Sequence, residues 1–145
     1  MFNLDDCMSC ITSRGAKLFS EALERRLKPY NITRPQWTAL YYIYTIDSIT
    51  QRALADKMSV KEPTVVRLIQ KMKQENILTF FGSVEDKRIK RLALTDKGVC
   101  LFHKILPVAE KFRNDTIAGI SEENLQTFKD TLKAMVANAS RERLY

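Results

Sequence analysis

One change of rhythm constrains this chain more than any other feature. Between Leu54 and Met72 the apolar residues recur at helical intervals, and between Ile77 and Leu94 they recur as strands do. A chain that switches from period 3.6 to period 2 within residues 50–98 has to place short helices and a β-hairpin against one small core. The same stretch holds eleven basic and six acidic residues, which supplies +5 of the formal +7. The basic excess is therefore placed, and it points to a polyanionic partner, either nucleic acid or an anionic membrane surface.

The flanks read as helices. Leu4 to Leu27 carries Leu4, Met8, Ile11, Leu18, Ala22 and Leu23 on one face, and Pro29 ends the run because proline lacks the N–H a helix needs. Gly15 inside that pattern marks a place where another helix could approach closely. Thr33 is a suitable N-cap for a second helix with Pro35 in its first turn and Trp37, Leu40, Tyr41 and Tyr44 at helical spacing. Thr50 caps a third, with Ala53, Leu54 and Met58 inward. After a tight turn at 58–60 a fourth helix runs to about Glu75. Its Val65, Leu68, Ile69 and Met72 face inward, and Lys61, Thr64, Arg67 and Lys71 lie on the outer side.

Two helices joined by a tight turn form a helix-turn-helix. Asn76 is placed to end the second of them in a left-handed conformation. Leu78–Gly82 and Ile89–Leu94 read as antiparallel strands, and a hairpin directly after a helix-turn-helix is a wing. Thr95 caps a long helix from Asp96 to about Asp115, interrupted by Pro107, and Ser121 starts a last one with Leu125, Phe128, Leu132 and Met135 on one stripe. The fold class is mainly α with a small β-hairpin, an α+β winged helix-turn-helix with long terminal helices. At 145 residues a single domain is expected, with no need of disulfides or metals. The apolar stripes of the terminal helices exceed what a small wing domain covers, so they bury against a second copy or pack together within one chain.

The layout resembles the MarR (multiple antibiotic resistance regulator) family of winged-helix transcription factors. The resemblance rests on Pro63-Thr64-Val65-Val66-Arg67-Leu68 in the fourth helix and on Asp86-Lys87-Arg88, Leu92-Ala93-Leu94-Thr95 and Gly98 around the hairpin. Ser59, Lys61 and Asn76 depart from it, standing where the family has Gly, Ser and Gly. The resemblance implies a homodimer whose terminal helices (1–30 and 99–145) interlock and whose lobes (33–98) enter successive major grooves of a palindromic duplex. It also implies a regulator, expected to be a repressor, released by a small-molecule effector, aromatic or anionic, or by thiol oxidation.

Roles follow residue by residue. Arg67 can meet a guanine edge with two parallel hydrogen bonds, and Thr64 and Lys61 can reach bases or phosphates from the first turn of the helix. Lys71 lies on the same face. Arg88 is expected in the minor groove, poised by Asp86, with Lys87, Lys90 and Arg91 on phosphates. Each also reads more plainly as a solvated face or a turn. Arg14, Trp37, Tyr41 and Tyr44 are candidates for an effector site, and the aromatics read equally as core. Cys7 and Cys10 are candidate redox thiols, with Cys100 expected as a small buried hydrophobe.

Three cysteines make an odd set that argues for reduced thiols and a cytoplasmic protein, and no run reaches the roughly 20 apolar residues of a membrane span. The sequence offers no cofactor motif and no metal site, His103 being its one histidine. It has no phosphate loop, paired carboxylates or nucleophile motif, so an enzyme is not expected. The alternative is a winged-helix module that meets an acidic protein without reading DNA sequence.

Overall fold

A computed structural model describes residues 1–82 and 90–141, the last without its side chain. Its order is α1 (Met8–Leu27), a 3-10 turn (Lys28–Tyr30), α2 (Arg34–Thr45), α3 (Gln51–Met58), α4 (Glu62–Gln74), β1 (Leu78–Phe81), β2 (Arg91–Leu94), α5 (Asp96–Ile117) and α6 (Glu122–Arg141). The chain divides into two compact units, Met1–Ala109 and Glu110–Tyr145. The mainly helical fold with one antiparallel hairpin is the winged helix-turn-helix expected from the sequence.

The first unit holds the core. Leu40, Leu54, Val65, Ile69, Met72 and Ile105 are fully buried, joined by Leu27, Leu78 and Leu92. α2 and α3 each start where a side chain satisfies free N–H groups. Thr33 accepts from the Gln36 N–H at 3.3 Å while Gln36 Oε1 accepts from the Thr33 N–H at 2.9 Å, a reciprocal capping box. Thr50 Oγ1 accepts from the Ala53 N–H at 3.2 Å.

β1 and β2 pair from Leu78 opposite Leu94 to Phe81 opposite Arg91. The hairpin also pairs with the turn before α3, a contact with no mark in the side-chain pattern. The Leu92 N–H donates to the Ile49 carbonyl at 2.9 Å, and Thr50 bridges Arg91. The turn before α3 is thereby stitched to the hairpin.

Several expectations are corrected. α1 begins at Met8, four residues after Leu4, because Asn3 Oδ1 takes the Asp5 N–H at 3.0 Å and holds the preceding residues in a turn. Ala53 is exposed, and the inward side of α3 is Leu54 and Ala55 with Met58 half-buried; at 100° per residue, position 53 falls outside the face that 54, 55 and 58 share. A Cβ on Gly15 would meet nothing within 4 Å, so that glycine answers no close packing in this chain. Cys100 is exposed, since Gly98, Phe102 and Ile105 set the inward face of α5 and position 100 lies away from it.

In the second unit the last turns of α5 lead through Gly119, in a left-handed conformation with φ of 79°, to α6. Ser121 Oγ caps α6 by accepting from the Asn124 N–H at 3.2 Å. Leu125, Leu132 and Met135 are half-buried and Phe128 is exposed. Among the described residues, no helix is long and apolar enough to cross a membrane.

Candidate nucleic-acid interface

The turn between α3 and α4 sets the geometry of the basic face. Ser59 ends α3 at φ of 54°, with its N–H on the Asp56 carbonyl at 3.1 Å, and the Val60 N–H reaches back to the Ala55 carbonyl at 3.1 Å. A serine there bears the Cβ strain of the left-handed region that glycine avoids. Lys61 is the N-cap residue of α4 and makes no side-chain cap, while Glu62 and Pro63 occupy its first turn. Lacking a capping hydroxyl, the start of α4 relies on the fixed φ of Pro63 and on the favourable charge of Glu62 near the helix N-terminus.

Val65, Ile69 and Met72 are fully buried, and Lys61, Thr64, Arg67 and Lys71 are exposed on the other side of α4. The far end of α4 is clamped more heavily than its start. Asn76 turns the chain at φ of 59°, and the Ile77 N–H closes on the Met72 carbonyl at 2.9 Å. From the start of α5, Lys97 Nζ donates to the Glu75 carbonyl at 2.7 Å, and Thr95 Oγ1 donates to the Asn76 carbonyl at 2.6 Å. Gly98 is required where it stands, because a Cβ there would fall on the Ile77 carbonyl.

The Gln36 side chain, 1% exposed, spans from the start of α2 to this end of α4, donating through Nε2 to Glu75 Oε2 at 2.9 Å. Sequence reasoning passed over Gln36, Glu75 and Lys97. The Thr33-x-x-Gln36 capping pattern was the one readable signal for them.

Lys90 is exposed at the foot of the hairpin, with Nζ 5.4 Å from the centre of the Phe80 ring, and Lys73 Nζ lies 5.0 Å from the same ring. Arg91 is half-buried and donates through Nη1 to the Ser48 carbonyl at 3.4 Å, tying the strand to the loop before α3. The wing-tip assignments Asp86, Lys87 and Arg88 lie outside the described residues.

The aromatic group of α2 packs on α5. Trp37 stacks on Phe102 with centroids 5.8 Å apart, Tyr44 stacks on the same ring at 3.8 Å, and the Tyr44 hydroxyl is 3.3 Å from His103 Nε2. Trp37 is buried, whereas Tyr41 and Tyr44 are 42% and 43% exposed. Arg14 pairs with Asp5 at 3.2 Å. A cleft of about 1200 Å³ opens at the other end of α2, and none of these four residues lines it.

Cys7 sits at the N-cap of α1 with Sγ 3.2 Å from Ser9 Oγ. Hydrogen bonding from the Ser9 hydroxyl, then from Cys10, lowers its pKa to about 7, while the bond to Cys7, followed by burial, raises that of Cys10. Among the described residues, no three His, Cys, Asp or Glu side chains come together as a metal site would need.

A helix pair whose second member bares a basic face, followed by a hairpin, defines the winged helix-turn-helix class. The model of the MarR family matches residues 32–90 of this chain. Solved structures carry the same fold over nearly the whole chain. A DNA complex of MepR from S. aureus is 20% identical over 93% of this chain and 98% of its own, with a TM-score of 0.86. The transcriptional regulator PA3341 is 27% identical over 93% and 99%, with a TM-score of 0.82. CouR from Rhodococcus jostii RHA1, bound to p-coumaroyl-CoA, is 19% identical over 93% and 95%, with a TM-score of 0.83. The fold is that of MarR-family transcription regulators.

Proposed function

We propose that this protein is a homodimeric, sequence-specific DNA-binding regulator of the cytoplasm that acts as a repressor on a palindromic operator. The observation that carries the reading is α4 itself: a helix with one fully buried stripe and Lys61, Thr64, Arg67 and Lys71 exposed on the other. Arg67 supplies base recognition, Thr64 and Lys61 reach bases or backbone from the first turn, and Lys71 and Lys90 meet phosphates. Asp86, Lys87 and Arg88 serve the wing contact.

Dimerisation by 1–30 and 99–145 is supported by apolar surface open to solvent in the single chain. Met8, Leu18 and Phe19 of α1 are 55%, 64% and 55% exposed, and Phe128 and Val136 of α6 are 59% and 57% exposed. Patches of this kind on a folded chain mark association surfaces. Release follows when an effector or an oxidised thiol favours a dimer whose α4 helices no longer match the groove spacing. That CouR is seen bound to p-coumaroyl-CoA and MepR in a complex with DNA supports both halves of the reading. Arg14, Trp37, Tyr41 and Tyr44 remain the effector candidates, and either Cys7 or Cys10 the candidate redox thiol.

The test is selection of duplexes from a random pool by the purified protein, followed by titration at several salt concentrations. A recovered inverted repeat and a steep fall of affinity with salt are expected. Recovery of unrelated sequences, bound equally, would instead favour a module that meets an acidic protein.

A further inference from the structure

The inner face of the hairpin changes character toward its tip. Leu78 and Leu92 are buried, Phe80 is half-buried, and Lys90, diagonal to Phe80 across the two strands, is exposed. Lys90 Nζ stands 5.4 Å from the centre of the Phe80 ring, and Lys73 of α4 brings a second Nζ to 5.0 Å from the same centre. Lys73 is not on the exposed side that Thr64, Arg67 and Lys71 share. One residue past the buried Met72, it sits on the flank of α4 that meets β1. Two cations from separate elements therefore converge on one ring, whose negative face attracts both. Neither is in an ion pair among the described residues, and residues 78–82 and 90–94 hold no acidic side chain. Glu75, the acidic residue next to Lys73 in sequence, is turned to Gln36. Counted in full against Lys73 and Lys90, it still leaves the junction positive, and the tip, 83–89, carries two acidic and two basic residues and so adds no net charge.

We propose that Lys73 and Lys90, held by Phe80, grip the sugar-phosphate strand that runs between the groove read by α4 and the groove reached by the wing. The proposal rests on the DNA reading above and adds to it one contact, Lys73, and one positioning residue, Phe80. A helix in the major groove and a wing in the adjacent minor groove straddle a single backbone strand, and the junction of α4 with the hairpin lies over that strand. The ring restrains both lysines before DNA arrives, so binding loses less side-chain entropy.

The test is fluorescence-anisotropy titration of the selected duplex and of a scrambled one with the full chain, over a range of salt. Lys73→Met keeps the apolar stem on the ring and removes the charge. It should weaken binding to both duplexes alike, roughly fivefold at about 0.15 M salt, and lower the salt slope by about one, the share of one phosphate contact. Phe80→Leu keeps the apolar packing and both charges. It should weaken both duplexes about two- to fivefold with the slope unchanged, while Phe80→Tyr, which retains the ring, should bind as the wild type does. Lys133→Met, off the apolar stripe of α6, controls for the loss of one charge and should also match the wild type. Circular dichroism and sedimentation confirm unchanged fold and assembly in every variant. Equal affinity and slope in Lys73→Met and wild type overturn the proposal, as does an equal loss in Lys133→Met, and Phe80→Leu indistinguishable from wild type overturns the role of the ring. A wild type that binds neither duplex removes the DNA reading and the grip together, whereas one that binds while Lys73→Met matches it removes the grip alone.

Discussion

Gln36→Met tests how α4 is held. The side chain is 1% exposed, and methionine fills nearly the same volume, so packing is retained and the polar contacts are isolated. Two hydrogen bonds are lost, the one from the Thr33 N–H to Oε1 and the one from Nε2 to Glu75, both at 2.9 Å. The first closes the capping box and contributes about 1 kcal/mol. The second goes to a carboxylate and would contribute up to about 3 kcal/mol if enclosed, but Glu75 is half-buried and water replaces part of it, which leaves about 1 kcal/mol. The expected loss is therefore about 2 kcal/mol. With a urea dependence of about 2 kcal/mol per molar, the midpoint falls by about 1 M at fixed protein concentration. A double-mutant cycle with Glu75→Ala should return a coupling of about 1 kcal/mol. A midpoint shift below about 0.2 M, or no coupling, would refute the claim that Gln36 braces the end of α4.

Cys7 should alkylate with a midpoint near pH 7, the value to which the Ser9 hydroxyl lowers it, and ahead of Cys10, whose pKa is raised. Below that pH the thiol is protonated and slow; Ser9→Ala should move the midpoint upward, as read by mass spectrometry of iodoacetamide-treated protein. Leu18→Glu with Phe19→Glu places two charges on apolar surface that is 64% and 55% exposed in the single chain. If those residues meet a second copy, sedimentation should show monomers where the wild type gives dimers, and an unchanged dimer would remove α1 from the interface.

Much of the fold was legible because its signals are local. Thr33, Thr50, Thr95 and Ser121 each cap the helix expected of them, and Asn76 takes the left-handed turn that its position suggested. The alternation of spacing between α4 and β1 carried the class of fold. What escaped depends on contacts far apart in sequence. Gln36 meets Glu75 across 39 positions and Lys97 meets the Glu75 carbonyl across 22, and neither has a periodicity that a single sequence displays. The pairing of the wing with Ile49 and Thr50 is likewise between backbone groups, which leaves no mark in side-chain pattern. Cys100 was misplaced because a cysteine in a helix reads as a small hydrophobe, whereas the inward face of α5 was set by Phe102 and Ile105.

Of the assigned DNA contacts, the exposed side of α4 followed from helical spacing, since its inner stripe fixes what lies opposite. The role of Arg91 could not be read that way. Its sequence neighbours are basic, but its guanidinium is turned to the Ser48 carbonyl by the pairing of β2 with the loop before α3.

The central claim is that the exposed side of α4 reads DNA, and Arg67→Ala tests it most directly. Wild-type protein and variant are titrated against the selected duplex in a mobility-shift assay, with dimer content checked by sedimentation. Loss of one two-bonded base contact should cost about 1–3 kcal/mol, a fall in affinity of roughly 5- to 150-fold, together with relaxed choice at one base pair of each half-site. Equal affinity and equal sequence preference in the two proteins would contradict the account.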